Sequence, residues 1–321
     1  MEKRPKLLDE IANEWEAAVR ANVSILSRDD PDYPPLLAEL PDAPLVLYVR
    51  GSLPAARVRV AMVGSRRSTF YGKFAAGRLA AGLAAVGVEI VSGGARGIDT
   101  LSHRGALDAG GTTVAVMGNG LGRVYPPENG SLFEKIAENG ALVSEFPMEM
   151  ASHPENFPQR NRLIAGLSAA TVIVEAAGRS GSLITARFAL EQGREVMAVP
   201  GRIDSEQSTG CHRLIQAGAK LVQSPEEILE ELSPMYRNVL PQSEAAQVDD
   251  TPLTPDELAV LGLFAGHDEV HVDILADAAP FGIARLQAAL FGLAVRRRID
   301  PLQGGYYVAR PRVPGHGPQE R

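Results

Sequence analysis

Apolar and polar positions follow one recurrent pattern between residues 58 and 222. A short apolar run closes on a glycine-bearing turn, and a longer stretch of helical spacing follows. Val58, Val60 and Met62 alternate with small or polar residues up to the turn Gly64-Ser65-Arg66-Arg67-Ser68, and Phe74–Val86 then runs on with much alanine and few breakers. The pattern predicts further strands at Val88–Val91, Thr112–Met117, Ala141–Ser144, Thr171–Val174 and Glu195–Val199. It predicts helices at Thr100–Ala109, Leu132–Asn139, Arg160–Leu167 and Thr185–Gln192, a short helix opening at Leu214, and an edge strand at Lys220–Val222. Strands alternating with helices mean an α/β fold, a doubly wound and mostly parallel sheet. Ligands in such sheets bind outside the carboxyl ends of the strands, where these Gly- and Ser-rich turns fall.

The flanks read differently. Residues 1–26 hold one amphipathic helix, with Leu7, Leu8, Ile11, Trp15 and Val19 on one face. The sheet domain is expected over residues 27–223, opening with a proline-rich turn and a short strand at Leu45–Val49. Residues 224–251 are an acidic helix and linker. Residues 252–310 begin with the helix start Thr254-Pro255-Asp256-Glu257, continue through helices at Val272–Ala278 and Ile283–Val295, and end in a hairpin, Arg298–Leu302 with Tyr306–Ala309. Three helices plus a hairpin predict a small C-terminal winged-helix domain. Residues 311–321 are expected to be a disordered tail.

Composition narrows the function classes. The chain has 321 residues, 45% of them hydrophobic and 22% charged, as in a soluble globular protein. It has no apolar run long enough to span a bilayer and no signal-peptide pattern near Met1. A lone cysteine, Cys211, can form neither an internal disulfide nor a multi-cysteine zinc site. The expected compartment is the cytoplasm. Net charge is −7, but the acid is concentrated in residues 221–262, while residues 57–220 carry more basic than acidic side chains. A local anion site is therefore permitted.

Candidate chemistry lies in the turns. Gly64, Ser65, Arg66 and Ser68 can meet an anion through backbone N–H groups at a helix start, hydroxyls and a guanidinium fork; the alternative is an ordinary βα turn with surface arginines. Ser92, Gly93, Gly94, Arg96 and Gly97 form a second such turn, and Ser180, Gly181 and Ser182 a third. Phe157, Arg160, Asn161 and Arg162 put an aromatic beside donors that suit a stacked base and its phosphates, against the alternative of a buried phenylalanine with two surface arginines. Gly118-Asn119-Gly120-Leu121-Gly122 imitates a dinucleotide fingerprint, but Tyr125-Pro126-Pro127 interrupts the helix that must follow. Asp99 reads as a helix-capping residue and His103 as structural. Glu175 is open between a structural acid and an acid/base. No nucleophile–base–acid trio stands out, and no ligand set suggests a metal or a cofactor.

Taken together, GSRRSTFYG, SGGARGIDTLSHRGAL, GGTTVAVMGNGL, YPPEN, SEFP, FPQRNRLIAGLS, VEAAGRSGSLITARFALEQGREVMAVPG and STGCHRLIQAGA resemble the DprA/Smf family of DNA-processing proteins along residues 27–222. The resemblance implies an extended Rossmann-like domain that binds single-stranded DNA without strong sequence preference. It also implies a homodimer that loads the RecA recombinase during natural transformation, possible contact with single-strand-binding protein, and no catalytic residues. Many members add a C-terminal winged-helix domain. Two departures stand out. Many members carry an N-terminal helical domain of which residues 1–26 are at most a remnant. Members often have a lysine before the FP-x-RNR block, where this chain has Ser152-His153-Pro154-Glu155-Asn156; only Arg160 or Arg123 is placed to substitute. The competing reading is an enzyme, a nucleoside-monophosphate phosphoribohydrolase of the lysine-decarboxylase-like family. Its PGG-x-GT-x-x-E signature corresponds here to Gly178–Thr185, without the following glutamate.

Overall fold

The computed structural model describes residues 3–54, 57–236, 253–265, 269–295, 298–301 and 305–309. The chain divides into two compact units, residues 1–241 and 242–321.

In the first unit, α1 (Lys3–Arg20), β1 (Ser24–Ser27), α2 (Pro35–Ala38) and β2 (Val46–Gly51) precede the alternating core. The core runs β3 (Arg59–Gly64), α3 (Phe70–Ala85), β4 (Glu89–Ser92), α4 (Ile98–Asp108), β5 (Thr113–Val116), α5 (Gly130–Asn139), β6 (Ala141–Ser144) and α6 (Asn156–Gly166). It continues with β7 (Ala170–Val174), α7 (Ser182–Glu191), β8 (Glu195–Ala198), α8 (Thr209–Gln216), β9 (Lys220–Leu221) and α9 (Pro225–Tyr236). The nine strands form one sheet in the order β1-β2-β6-β5-β4-β3-β7-β8-β9. All pairs from β6 to β9 are parallel, and β1 and β2 close one edge antiparallel. Strands β3 to β7 are buried residue by residue apart from Gly64 at the exit of β3, because helices cover both faces of a parallel sheet. On one face Ala76, Leu79 and Leu83 of α3 pack with Val60, Met62 and Ile90. On the other, Leu163 and Ile164 of α6 pack with Val63, Val114 and Ile173. Strand β3 is the switch point: the chain winds outward through β4, β5 and β6, then returns to build β7, β8 and β9 on its other side.

Three sequence expectations change. Strand β1 was not expected; it starts at Ser24, so the sheet begins inside the span expected to be purely helical. Helix α6 starts four residues before Arg160, which places Phe157 in its first turn. The apolar stripe of α1 faces outward, with Leu8, Ile11, Trp15 and Val19 more than half exposed. The buried side of that helix is instead Ala18 with Ala17 beside it, anchored by Glu14, whose carboxylate accepts the Met148 N–H at 2.7 Å. Small side chains let the helix lie close to the sheet edge, which periodicity alone does not reveal.

The second unit contains α10 (Pro255–Gly262), β10 (Val270–His271), α11 (Val272–Ala278), α12 (Ile283–Val295), β11 (Ile299–Pro301) and β12 (Tyr306–Ala309). Its three strands pair antiparallel in the order β10-β12-β11, over a core of Val260, Leu275, Leu286, Leu290 and Leu293. Thr254 and Glu257 form a reciprocal capping box at the start of α10. Arg285 makes two hydrogen bonds to Asp256, at 2.8 and 2.6 Å, and lies 4.9 Å from the Phe281 ring, so its fork is already engaged. Of the Arg296-Arg297-Arg298 run, Arg296 and Arg297 lie outside the described residues, as do the linker from 237 to 252 and the tail from 310.

His103 of α4 is fully buried. The Thr113 hydroxyl donates to the Ile90 carbonyl, so at 2.7 Å it accepts the Nδ1 proton of His103. Nε2 is left buried without a partner. A second proton would have no acceptor, and burial, aided by Arg160, pushes the imidazole pKa down to about 3. The unfolded chain takes up this proton below about 6.5. Stability falls wherever the unfolded state binds more protons, so this histidine should cost stability as pH drops from about 6.5 toward 3. Urea titrations at stepwise lower pH are expected to show a steeper decline for the wild type than for His103→Asn; equal slopes would remove the histidine from the account.

Candidate nucleic-acid interface

A shallow cleft, open to solvent, lies at the carboxyl edge of the sheet, lined by Arg66, Gly93, Ala95, Arg96, Gly118, Tyr125, Pro126 and Phe157. The sheet order brings these together, because β3, β4 and β5 are neighbours and their exit turns share one rim.

The β3–α3 turn is fixed from beneath. Gly64 has no room for a side chain, since a Cβ there would stand 1.8 Å from the Val174 carbonyl. The Ser65 N–H donates to the Glu175 carbonyl at 2.7 Å, and the Thr69 N–H donates to the Glu175 carboxylate at 2.8 Å. The Thr69 hydroxyl bonds the other oxygen of that carboxylate. Thr69 itself caps α3 by accepting the Gly72 N–H. The next turn is tied to this one: the Ile98 N–H donates to the Ser65 carbonyl at 3.2 Å, and Gly97, at φ +79°, passes so close that a Cβ would stand 2.2 Å from that oxygen. Asp99, buried, accepts the N–H groups of Gly93 at 3.1 Å and Ala95 at 3.3 Å. Burial pushes its carboxyl pKa up, against the pull of Arg160.

Two backbone-donor sites expected from the sequence are thus occupied by the protein's own carboxylates. Glu175 holds the start of α3, and Asp99 takes the N–H groups of the Gly93–Ala95 turn. The open question over Glu175 closes on a structural acid. Two of the three hydroxyls are committed in the same way. Ser92 is buried and donates to the Met62 carbonyl at 2.6 Å. Ser65 donates to Gln207 at 2.9 Å and accepts the Arg67 N–H. Ser68 Oγ is buried without a partner.

What remains for an anion is guanidinium. Arg66 is exposed, stands 5.3 Å from the centroid of the Phe157 ring, and makes no ion pair among the described residues. Arg96, on the opposite rim, is exposed and paired with Glu128. Phe157 is the aromatic wall. Tyr125 tilts against it at 5.7 Å, and Gly118 leaves room for the ring, which a Cβ there would approach to 3.0 Å.

The FPQRNR block divides into three roles. Arg160 is buried, 3% exposed; its Nη1 donates to the carbonyls of Gly93 (2.7 Å) and Val116, and its guanidinium underlies Phe157 at 5.7 Å. Burial pulls its pKa down to about 10, with Asp99 opposing, so it stays charged at neutral pH and braces the cleft floor instead of facing the opening. Arg162 turns away altogether, paired with Glu145 and, at 3.4 Å, with Asp42. Asn161 donates to the Gly181 carbonyl at 3.3 Å, tying α6 to the third turn. Gly94 and Gly97 shape the second turn without lining the cleft. Ser180 and Ser182 bond each other at 2.8 Å and, with Gly181, lie outside it. Neither candidate substitute for the family's lysine is free, since Arg123 is held by Glu149 at 3.4 Å.

Tyr125 and Gly118 line the cleft although the sequence singles neither out as a site residue; both fall within blocks of the family resemblance and of the imperfect dinucleotide fingerprint. An aromatic directly after a glycine-rich turn was the available signal. Among the described residues no His/Cys/Asp/Glu group could hold a metal ion, and no helix is long and apolar enough to cross a membrane.

Comparison with known proteins agrees with this architecture. Residues 24–233 match the model of the family described as DNA recombination-mediator protein A. Protein Smf of Escherichia coli is 41% identical over 297 residues, covering 90% of this chain and 78% of that protein. The crystal structure of DNA processing protein A from Streptococcus pneumoniae is 43% identical and superposes with a TM-score of 0.63, covering 65% of this chain and 74% of that one. DNA processing protein A of Helicobacter pylori, whose structure was described for its single-stranded-DNA binding mode, is 31% identical with a TM-score of 0.60, covering 67% and 97%. With a doubly wound sheet of this topology and matches of this extent, the chain belongs to the DNA recombination-mediator protein A family, the DprA/Smf proteins.

Proposed function

We propose that this protein binds single-stranded DNA without strong sequence preference, as a homodimer, and loads the RecA recombinase onto it, in contact with single-strand-binding protein and in the cytoplasm. One observation carries the DNA-binding part: an unpaired guanidinium, Arg66, lies over an aromatic wall, Phe157, in a cleft open to solvent. Stacking on an aromatic face is indifferent to base identity, and a guanidinium fork suits a phosphate. The recombinase part rests on family membership.

The role is a binding one, not catalytic. Asp99 and Glu175, the acids beneath the cleft, are committed to backbone N–H groups, so neither is poised for proton transfer. That favours DNA binding over phosphoribohydrolase chemistry; incubation with nucleoside monophosphates is expected to release no free base.

Arg66→Ala should weaken binding to an oligothymidylate more than tenfold, about 1.4 kcal/mol, and lower the salt slope by roughly one phosphate. Phe157→Ala should cost about 1–3 kcal/mol with the slope unchanged. Fluorescence anisotropy across salt concentrations reads both, and unchanged affinity in a folded Arg66→Ala protein sinks the assignment. Arg67→Ala should matter less.

Recombinase loading is checked by strand exchange on oligonucleotides pre-coated with single-strand-binding protein. Faster RecA nucleation is expected on adding this protein, and no acceleration at any ratio would leave DNA binding alone standing.

A chain ending at Pro241, the boundary between the two units, should keep most of the affinity of the full chain at one fixed salt concentration, because every cleft residue lies between 66 and 157. Inactivity of that truncated chain beside strong binding by residues 242–321 would place the site in the wrong unit.

A further inference from the structure

The turn that delivers Arg66 to the cleft ends in two exposed aromatics that the cleft does not use. Phe70 is 54% and Tyr71 47% exposed, and Phe70 belongs to none of the buried clusters of the first unit. Tyr71 donates its hydroxyl to the Pro200 carbonyl at 2.7 Å, which lays its ring toward the exit of β8. The cleft lies over β3, β4 and β5, whereas β8 lies beyond β7 on the other side of β3. Tyr71 therefore lies on the β8 side of the Arg66-Arg67 turn, and Phe70, the residue before it in the first turn of α3, is likewise exposed. Arg67 and Lys73 beside it are exposed and make no ion pair among the described residues. Phe70 lies four positions after Arg66, at most about 14 Å of chain.

We propose that Phe70 and Tyr71 form a second base-stacking shelf, onto which a single strand seated at Phe157 continues after crossing the arginine turn. The inference rests on the single-strand reading of the cleft and extends it. Scattered exposed apolar residues need no explanation. Two adjacent aromatics bordered by unpaired cations, contiguous with a cleft of the same make-up, match a polymer whose bases are flat and whose backbone is anionic.

The test uses the full chain with two strands of equal length, a 20-nucleotide oligothymidylate and an abasic strand, on wild type, Phe70→Ala, Phe70→Trp and Phe157→Ala. Phe70→Ala should bind the oligothymidylate five- to tenfold more weakly, with an unchanged salt slope because no charge is removed, and bind the abasic strand like wild type. Phe70→Trp should restore the affinity. The shelf is overturned if Phe70→Ala binds oligothymidylate normally, if it loses both strands equally, or if light scattering shows a changed oligomeric state as its one effect. Loss in Phe157→Ala without loss in Phe70→Ala overturns the shelf and leaves the cleft intact. A wild type that binds neither strand overturns both.

Discussion

The site depends on one carboxylate. Glu175 follows the last residue of β7 in a left-handed backbone conformation, φ +53°, which costs a non-glycine residue on the order of 1–3 kcal/mol. In return its carbonyl accepts the Ser65 N–H, and its carboxylate holds both the N–H and the hydroxyl of Thr69. Strand β7 thereby sets where the β3–α3 turn stands and where α3 begins. Gly64 and Gly72 are the complement of that arrangement, since a Cβ at either would strike Val174 or the Glu175 side chain.

This alters where an anion can be attracted. A helix start at the switch point of a doubly wound sheet is an anion site by default. Here Glu175 fills the first one, and Asp99 takes the N–H groups of the next turn. The protein supplies its own anions to the positions that a nucleotide's phosphate would otherwise take. The remaining attraction comes from Arg66 and Arg96 on the rim, and the remaining shape comes from Phe157, Tyr125 and Pro126. Such a site sets an aromatic face beside a guanidinium without walls that would enclose a whole nucleotide.

Arg160 and Arg66 divide the work of one charge type. Arg160 is buried, with the Gly93 and Val116 carbonyls accepting its protons, and it stands 5.7 Å from the Phe157 ring centroid. Arg66, exposed, stands 5.3 Å from the centroid of the same ring. The buried charge is tolerated because two buried carbonyls accept from its Nη1 and Asp99 lies near; the exposed one makes no ion pair among the described residues. A net charge of −7 says nothing of this, since the effect is local.

Much of the architecture was legible in the order of residues. Strand-length apolar runs closing on glycine-rich turns dictated a doubly wound parallel sheet, because buried parallel strands and their crossover helices leave that pattern in any chain. The same logic put the turns on one edge and picked out Arg66, Gly93 and Arg96, and the aromatic set beside arginines picked out Phe157; all four line the cleft. Tertiary structure alone decided which neighbouring polar groups remain available. Ser92, Arg160 and Arg162 have the composition of ligand-binding residues, yet their partners (Met62, the Gly93 and Val116 carbonyls, Glu145) stand 17 to 67 residues away in sequence, and such pairings leave no local signal. The outward stripe of α1 has the same cause: periodicity marks a face, but only the packed sheet edge determines which face is covered.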